Sequence, residues 1–260
     1  MQKKLSALVG TVLVIGAIIL AEVYQFKHFY EILLVGLTML VGSALTAKEI
    51  DRLLYYKLFL LFVPVGFILD YVLGISVTHL WFYNYTNIYE YWLLYLLVYP
   101  LGGIVMLQSY LLFRKYIRVA PVSKLLAGVG VVFYLAVTYI IATTTYYSWP
   151  NAKLSMVGTL GCFCVLGIAV FNVWSEIRHK KSYARELFTR FVPVMAATLC
   201  ATYVNAFLHE LPNVVARQWV YLPTSGTTLD VMILGIPFLV LVAWVFLTLL
   251  PVSLYYVLKK

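Results

Sequence analysis

The sequence predicts an all-α integral membrane protein with about eight transmembrane helices and both termini in the cytoplasm. Its 260 residues are 63% hydrophobic and 11% charged, whereas about a quarter of the residues in soluble domains are charged. The apolar residues fall in blocks of about 20, long enough to cross about 30 Å of hydrocarbon as helices. Basic residues gather between alternate blocks, which indicates that the blocks cross a membrane in turn.

Eight apolar blocks mark the predicted spans. Lipid supplies no hydrogen-bond partners to the backbone, so each block is expected to be helical. The first block follows Lys3-Lys4 and is longer than the apolar core of a signal peptide, so we expect a retained helix. The spans cover approximately residues 5–24, 29–47, 54–75, 92–113, 125–146, 155–174, 189–209 and 230–256.

The distribution of positive charge sets the predicted orientation. With the N-terminus in the cytoplasm, 16 of the 19 basic residues lie on the cytoplasmic side, and only Lys27, Lys153 and Arg217 lie outside. This bias is typical of membrane proteins. We expect the location to be the cytoplasmic membrane of a prokaryote. Although the net charge is +9, we expect no nucleic-acid partner, because the basic residues act as topology signals.

One pattern occurs twice along the chain. In the stretch from Asp70 to Pro100, a Trp81-x-Tyr83 segment precedes the proline by 17 residues, counted from the tyrosine. A second Trp-x-Tyr segment begins 138 residues after the first and precedes another proline by 16 residues. We therefore predict two related helical hairpins, in repeat-like units of about 54–113 and 189–256, paired around a shared interior within one membrane domain, residues 1–260.

Acidic residues follow the apolar runs of both units. Asp70 ends an apolar run, and a carboxylate at membrane depth is expected to face the bundle interior. His209 and Glu210 end the seventh predicted span, and Asn205 lies on the same helix face as His209. Glu90 falls in the first outer loop. Asp70, Glu90 and Glu210 are the candidate catalytic acids.

Several kinds of site are not expected. No set of His, Cys, Asp and Glu residues has metal-ligand spacing, and the sequence lacks phosphate-binding and dinucleotide-binding motifs. We predict neither a metal nor a cofactor. Cys162, Cys164 and Cys200 are interpreted as small buried apolar residues.

Prolines within apolar blocks suggest a cavity. A proline inside a helix leaves a carbonyl without its partner and bends the helix, which can separate neighbouring helices. Glycines follow or precede two of these prolines, so the paired helices could bend around a guest molecule. The prolines placed inside spans are Pro64, Pro100, Pro193 and Pro237.

The repeated pattern resembles the membrane-integral lycopene cyclase domain of the carotenoid cyclase group. Asp70, Trp81, Tyr83 and Pro100 match the first repeat of that family, and Trp219 with Ile236-Pro237 resembles the second. The resemblance implies a helical membrane fold and an isoprenoid ligand. It also implies acids directly after the prolines, in Pro-Leu-Glu-Glu and Pro-Val-Glu-Asp signatures that supply the proton for ring closure.

The acids of those signatures are missing here. The chain reads Pro100-Leu101-Gly102-Gly103 and Pro237-Phe238-Leu239-Val240. Because protonation of an alkene needs a well-placed acid, we do not expect lycopene cyclisation.

Three functions remain open from the sequence. The first is a membrane protein with an interior that binds a membrane lipid or isoprenoid; the second is an isoprenoid- or carotenoid-modifying enzyme that uses other acids; the third is a transporter or scaffold subunit with a membrane-protein partner. The residues expected to line the ligand site are Asp70, Trp81, Tyr83, Pro100, Asn205, His209, Trp219, Tyr221 and Pro237.

Overall fold

The computed structural model describes residues 2–77, 79–117, 152–222 and 232–259. The helices are α1 (Gln2–Tyr24), α2 (Phe29–Ala44), α3 (Arg52–Gly66), α4 (Ile88–Leu93), α5 (Tyr99–Tyr116), α6 (Ala152–His179), α7 (Tyr183–Thr189), α8 (Phe191–Ala216) and α9 (Phe238–Leu258). π-helical turns extend α3 over Phe67–Val77 and join α4 to α5 over Leu94–Val98. The strands are β1 (Trp81–Tyr83), β2 (Trp219–Tyr221), β3 (Met232–Ile233) and β4 (Ile236–Pro237).

The all-α prediction is confirmed, and five of the described helices are long and apolar enough to cross a membrane. These candidate spans are Gln2–Tyr24, Arg52–Ser76, Ile88–Tyr116, Phe191–Ala216 and Val240–Leu258. α2 is apolar but has only 16 residues, about 24 Å of helix, so it is shorter than the predicted span 29–47. The predicted span 125–146 lies outside the described residues.

Contacts between distant segments define the two ends of the bundle. Lys3 Nζ donates a hydrogen bond to the carbonyl of Leu45 (2.7 Å), and Lys259 Nζ donates to that of Lys48 (3.0 Å). The start of α1, the α2–α3 connection and the end of α9 therefore share one end, which we call the terminal end. The opposite end carries β1 and β2, and we call it the ribbon end.

The prolines do not all occupy the predicted positions. Pro64 lies inside α3, two residues before its last residue, and Pro212 and Pro251 lie inside α8 and α9. The prediction that Pro237 lies inside a span is wrong, because Pro237 is the residue that precedes α9 and pairs with β3. The β3–β4 turn in front of it contains Gly235 with φ +81°, a conformation that favours glycine.

Glycines let several helices approach closely. A Cβ atom on Gly10 of α1 would lie 2.6 Å from the backbone nitrogen of Leu40, and one on Gly36 of α2 would lie 2.9 Å from that of Val14. Small residues at both positions therefore permit backbone-to-backbone packing, as in many membrane helix pairs. The N-terminal part of α2 is buried against the ribbon end, where the Phe29 ring stacks on Trp219.

Candidate functional site

The two Trp-x-Tyr segments form strands β1 and β2 and pair with each other. The antiparallel register joins Trp81 with Tyr221, Phe82 with Val220, and Tyr83 with Trp219. Each tryptophan thus faces the tyrosine of the other copy, as expected for two equivalent segments related by a local twofold axis. We call this two-stranded element the ribbon.

Backbone hydrogen bonds continue the pairing beyond both strands. The Asn84 N–H donates to the Gln218 carbonyl (2.9 Å), and the Leu222 N–H donates to the Leu80 carbonyl (2.8 Å). The ribbon therefore fixes the connection after α3 against the connection after α8. The two units meet directly at this end of the bundle.

Asp70 lies at the centre of the first of two similar clusters. Its side chain is buried, and its Oδ1 accepts hydrogen bonds from Trp81 Nε1 (2.8 Å) and from the Tyr83 hydroxyl (2.9 Å). Its Oδ2 accepts from the Tyr95 hydroxyl (2.7 Å). The Tyr99 hydroxyl lies 2.9 Å from the Tyr83 hydroxyl, within hydrogen-bonding distance. We call Asp70, Trp81, Tyr83 and Tyr95 the first cradle.

Glu210 lies at the centre of the second cluster. It is also buried, and its Oε1 accepts from the Tyr221 hydroxyl (2.8 Å) and from Trp244 Nε1 (2.9 Å). Its Oε2 accepts a longer bond from Trp219 Nε1 (3.3 Å), which also donates to the Tyr221 hydroxyl (3.0 Å). We call Glu210, Trp219, Tyr221 and Trp244 the second cradle.

Both cradles turn the polar tips of their aromatic rings towards a carboxylate. Burial, reinforced by the charge of Asp70, raises the pKa of the Tyr83 hydroxyl well above its usual value of 10.0. Burial and the charge of Glu210 do the same for the pKa of Tyr221. The two hydroxyls therefore stay protonated donors over the physiological range, and the ring faces that remain are apolar.

Both acids lie inside helices, and the prediction that the seventh span ends at His209 and Glu210 is wrong. The π-helical turns continue seven residues beyond Asp70, and α8 continues six residues beyond Glu210. In the last turn of α8, the side chain of Asn213 accepts a hydrogen bond from the Trp219 N–H (3.1 Å) and donates one to the Trp219 carbonyl (2.9 Å). This exchange turns the chain sharply from α8 into β2.

His209 lies beside the second cradle and has an unfilled hydrogen-bonding position. It is fully buried, and its Nδ1 lies 3.2 Å from the hydroxyl of Tyr30. Its Nε2 has no hydrogen-bond partner among the described residues, and its ring meets Trp244 edge-on with centroids 4.9 Å apart. A buried polar atom without a partner is uncommon, so His209 is the group at this end best placed to orient a polar atom of a ligand.

The glycines at the signature positions face different surroundings. A Cβ atom on Gly102 would lie 3.9 Å from the Tyr30 hydroxyl, an ordinary contact. A Cβ atom on Gly103 would lie 2.8 Å from the ring of Phe62. The Phe62 ring therefore lies against the position where the second acid of a Pro-Leu-Glu-Glu signature would begin.

Gln218 connects the two units and α2, which the sequence did not indicate. It is fully buried, and its Nε2 donates to the carboxylate of Glu31 (3.1 and 3.2 Å) and to the Tyr85 hydroxyl (2.9 Å). Its Oε1 accepts from the backbone N–H of Tyr30 (3.4 Å). One amide thus ties α2 to the loops of both units.

Glu90 is not part of either cradle. The prediction that it lies in the outer loop is wrong, because α4 begins at Ile88 and contains Glu90. Glu90 forms a capping box with Asn87 at the start of α4 and lies 3.3 Å from His28. Its carboxylate therefore stabilises a helix start at the surface.

The remaining predicted site residues lie apart from the two carboxylates. Pro100 is buried in α5 next to Tyr99. Asn205 is buried one turn from His209, where it accepts from Ser109 of α5 (3.4 Å). Pro237 lies in the β3–β4 hairpin. The structure thus brings together Asp70, Trp81, Tyr83, His209, Glu210, Trp219 and Tyr221, and it adds Tyr30, Tyr95, Gln218 and Trp244.

Comparisons with known proteins add no relative. No family model, no curated protein and no solved structure matches the chain. Among the residues with described side chains, no group of three His, Cys, Asp or Glu residues is arranged to hold a metal ion.

Proposed function

We propose that this chain is an integral membrane protein that binds a lipid or isoprenoid at the ribbon end, between its two repeat-like units. The observation that carries the proposal is the pairing of the two Trp-x-Tyr strands, which places both cradles at one end of the bundle. The location we propose is the cytoplasmic membrane of a prokaryote, with the terminal end in the cytoplasm.

The chemistry of the cradles favours an apolar ligand. The indole N–H and phenol O–H groups are already bonded to Asp70 or Glu210, so the rings can contact hydrocarbon without leaving a donor unpaired. His209 supplies one free polar position beside them. Pockets for such ligands are mostly apolar, with a few polar groups that fix orientation.

The same contacts argue against a proton donor at Asp70 or Glu210. Each carboxylate accepts hydrogen bonds from three aromatic side chains, so transfer of a proton to a substrate would require a donor to be displaced. An isoprenoid-modifying enzyme is therefore less well supported than a binding protein. A structural clamp in a scaffold subunit is the second candidate, because saturated cradles would also serve that role.

Ligand retention distinguishes binding from scaffolding. The full chain would be purified in a mild detergent, and bound molecules would be identified by native mass spectrometry and lipid extraction. We expect about one isoprenoid or lipid per chain to resist washing. Retention should fall by at least half in the double variant Trp81→Ala, Tyr221→Ala, because both rings belong to the ribbon where the ligand is proposed to bind.

The control is Trp92→Ala, since Trp92 is 57% exposed and belongs to neither cradle. Equal loss in the control and the double variant would contradict a site at the ribbon. A chain that retains no ligand in any preparation would favour the scaffold role.

The resemblance to carotenoid cyclases is tested separately. Expression in a lycopene-accumulating host should yield no β- or γ-carotene, because no acid follows Pro100 or Pro237. Cyclised pigment above the level of an empty-vector host would show that other acids replace the missing ones.

A further inference from the structure

We propose that a second site, at the terminal end, binds the phosphate headgroup of a membrane phospholipid. A cavity of about 360 Å³ opens there between α1, α2 and α3, and Lys3, Gly42, Arg52, Tyr56 and Gln108 are among the residues that line it. This volume lies in the range of pockets that hold small ligands. The proposal requires that the helices span a membrane and is independent of the ribbon-end site.

The floor of the cavity contains an amide with an unfilled hydrogen-bonding position. Gln108 of α5 is only 4% exposed, and its Oε1 has no partner among the described residues. The absence of a side chain on Gly42 makes room for it, because a Cβ atom there would lie 2.9 Å from Gln108 Nε2. An unpaired buried carbonyl costs roughly 1–3 kcal/mol, and a hydroxyl or ammonium group of a bound headgroup would satisfy it.

The rim of the cavity carries two cations against one acid. Lys3 donates one hydrogen bond to the Leu45 carbonyl (2.7 Å), which leaves two of its three N–H donors for a ligand. Arg52 forms no ion pair with the rest of the described chain. Asp51 is occupied as the N-cap of α3, where it accepts from the Leu54 N–H (2.8 Å). An arginine fork and an ammonium group together suit the oxygens of a phosphate ester.

The surroundings of the rim favour a lipid over a soluble phosphate ester. An exposed apolar surface continues from it along α3 towards the middle of the bundle: Tyr56, which lines the cavity, and Leu60, one helical turn further on, are 63% and 68% exposed. Acyl chains could lie along this surface while the headgroup occupies the cavity. A basic residue at headgroup level also attracts anionic lipid.

Lipid titration of the full-length chain in detergent tests this assignment. The probes are phosphatidylglycerol, diacylglycerol without a phosphate, and soluble glycerol 3-phosphate, with binding read by native mass spectrometry and thermal unfolding. We expect phosphatidylglycerol to bind and to raise the melting temperature, and the other two to do neither. The double variant Lys3→Gln, Arg52→Gln should bind phosphatidylglycerol at least about tenfold more weakly, since two charge-assisted contacts are lost.

The matched control is the double variant Lys4→Gln, Lys57→Gln, which removes the same charge from residues that do not line the cavity. A second variant, Gln108→Leu, should weaken binding about fivefold through one lost hydrogen bond. Equal weakening in the two double variants would overturn the site in favour of general surface charge. Binding of diacylglycerol would overturn the role of the phosphate, and equal stabilisation by glycerol 3-phosphate would overturn the lipid assignment.

Discussion

The two cradles each surround a buried carboxylate with aromatic hydrogen-bond donors, but with different residues. The first uses an aspartate eleven residues before its tryptophan, and the second uses a glutamate nine residues before its tryptophan. The longer glutamate side chain compensates for the shorter connection. Two tyrosines and one tryptophan fill the first cradle, whereas two tryptophans and one tyrosine fill the second. The two units share the contact between the acid and the ribbon, but the number of residues between the acid and the tryptophan differs.

The cradles also differ in what surrounds them. The first is built on π-helical turns, which are rare and often occur at functional sites, and its tryptophan is partly exposed. The second is packed against Phe29 and Tyr30 of α2 and adjoins His209. A ligand at the ribbon end would therefore meet an open apolar wall on one side and a polar group on the other. Three experiments can separate the two sides.

The largest effect is expected from removal of the acids. Asp70→Ala leaves the buried hydroxyls of Tyr83 and Tyr95 and the partly exposed indole N–H of Trp81 without their acceptor. Each buried donor costs roughly 1–3 kcal/mol, so the free energy of unfolding should fall by about 2–6 kcal/mol. Glu210→Ala should cost less, because one of its bonds is 3.3 Å long. Unfolding would be followed in mixed micelles by near-ultraviolet circular dichroism, which reports on the packing of the tryptophan side chains.

The control for the acid variants is Glu22→Ala, because Glu22 is exposed near the end of α1. We expect a change within about 0.5 kcal/mol there. If the three variants unfold alike, the cradles do not stabilise the ribbon.

A smaller effect should be confined to the first cradle. Gly74 lies directly beneath Trp81, and a Cβ atom at this position would overlap the indole ring. Gly74→Ala should therefore displace Trp81 and lower stability by about 1–3 kcal/mol, with a change in tryptophan fluorescence. Gly16→Ala is the matched control, since no atom lies within 4 Å of its added Cβ and alanine favours a helix by about 1 kcal/mol. Destabilisation by both variants would point to a general effect of helix glycines.

The sequence predicts the acids and the Trp-x-Tyr segments but not how they meet. Helical spans are long and strongly apolar, so composition is sufficient for the all-α fold. Strands of three residues carry no readable period, and the pairing of β1 with β2 is a contact across 138 residues. Tyr95 and Trp244 are of the residue types that commonly line the membrane–water interface. Nothing in their local sequence marks them as donors to Asp70 or Glu210.

Helix ends were the other source of error, for a physical reason. The predicted seventh span ends at residue 209, where the apolar run reaches His209 and Glu210. The ring of Pro212 removes only one backbone donor, however, and α8 continues to Ala216. Asn213 then closes the helix through its bonds to Trp219. The length of an apolar run does not show where a side chain will satisfy the last backbone groups of a helix.

The smallest effect distinguishes the cradles by their tyrosines in alkali. The pKa values of Tyr83 and Tyr221 are raised in the folded protein by burial and by the adjacent carboxylates. Their contribution to stability is therefore complete below pH of about 10 and is lost as the pH rises beyond it. As the pH rises above about 10, each tyrosine should steepen the fall in the free energy of unfolding by at most about 1.4 kcal/mol per pH unit.

Tyr83→Phe and Tyr221→Phe should each make the fall in the free energy of unfolding shallower between pH 10 and 11. Tyr24→Phe, at a residue 70% exposed, should not. A slope unchanged in Tyr83→Phe but reduced in Tyr221→Phe would show that only the second cradle excludes water, and the first would then be the open side of the site.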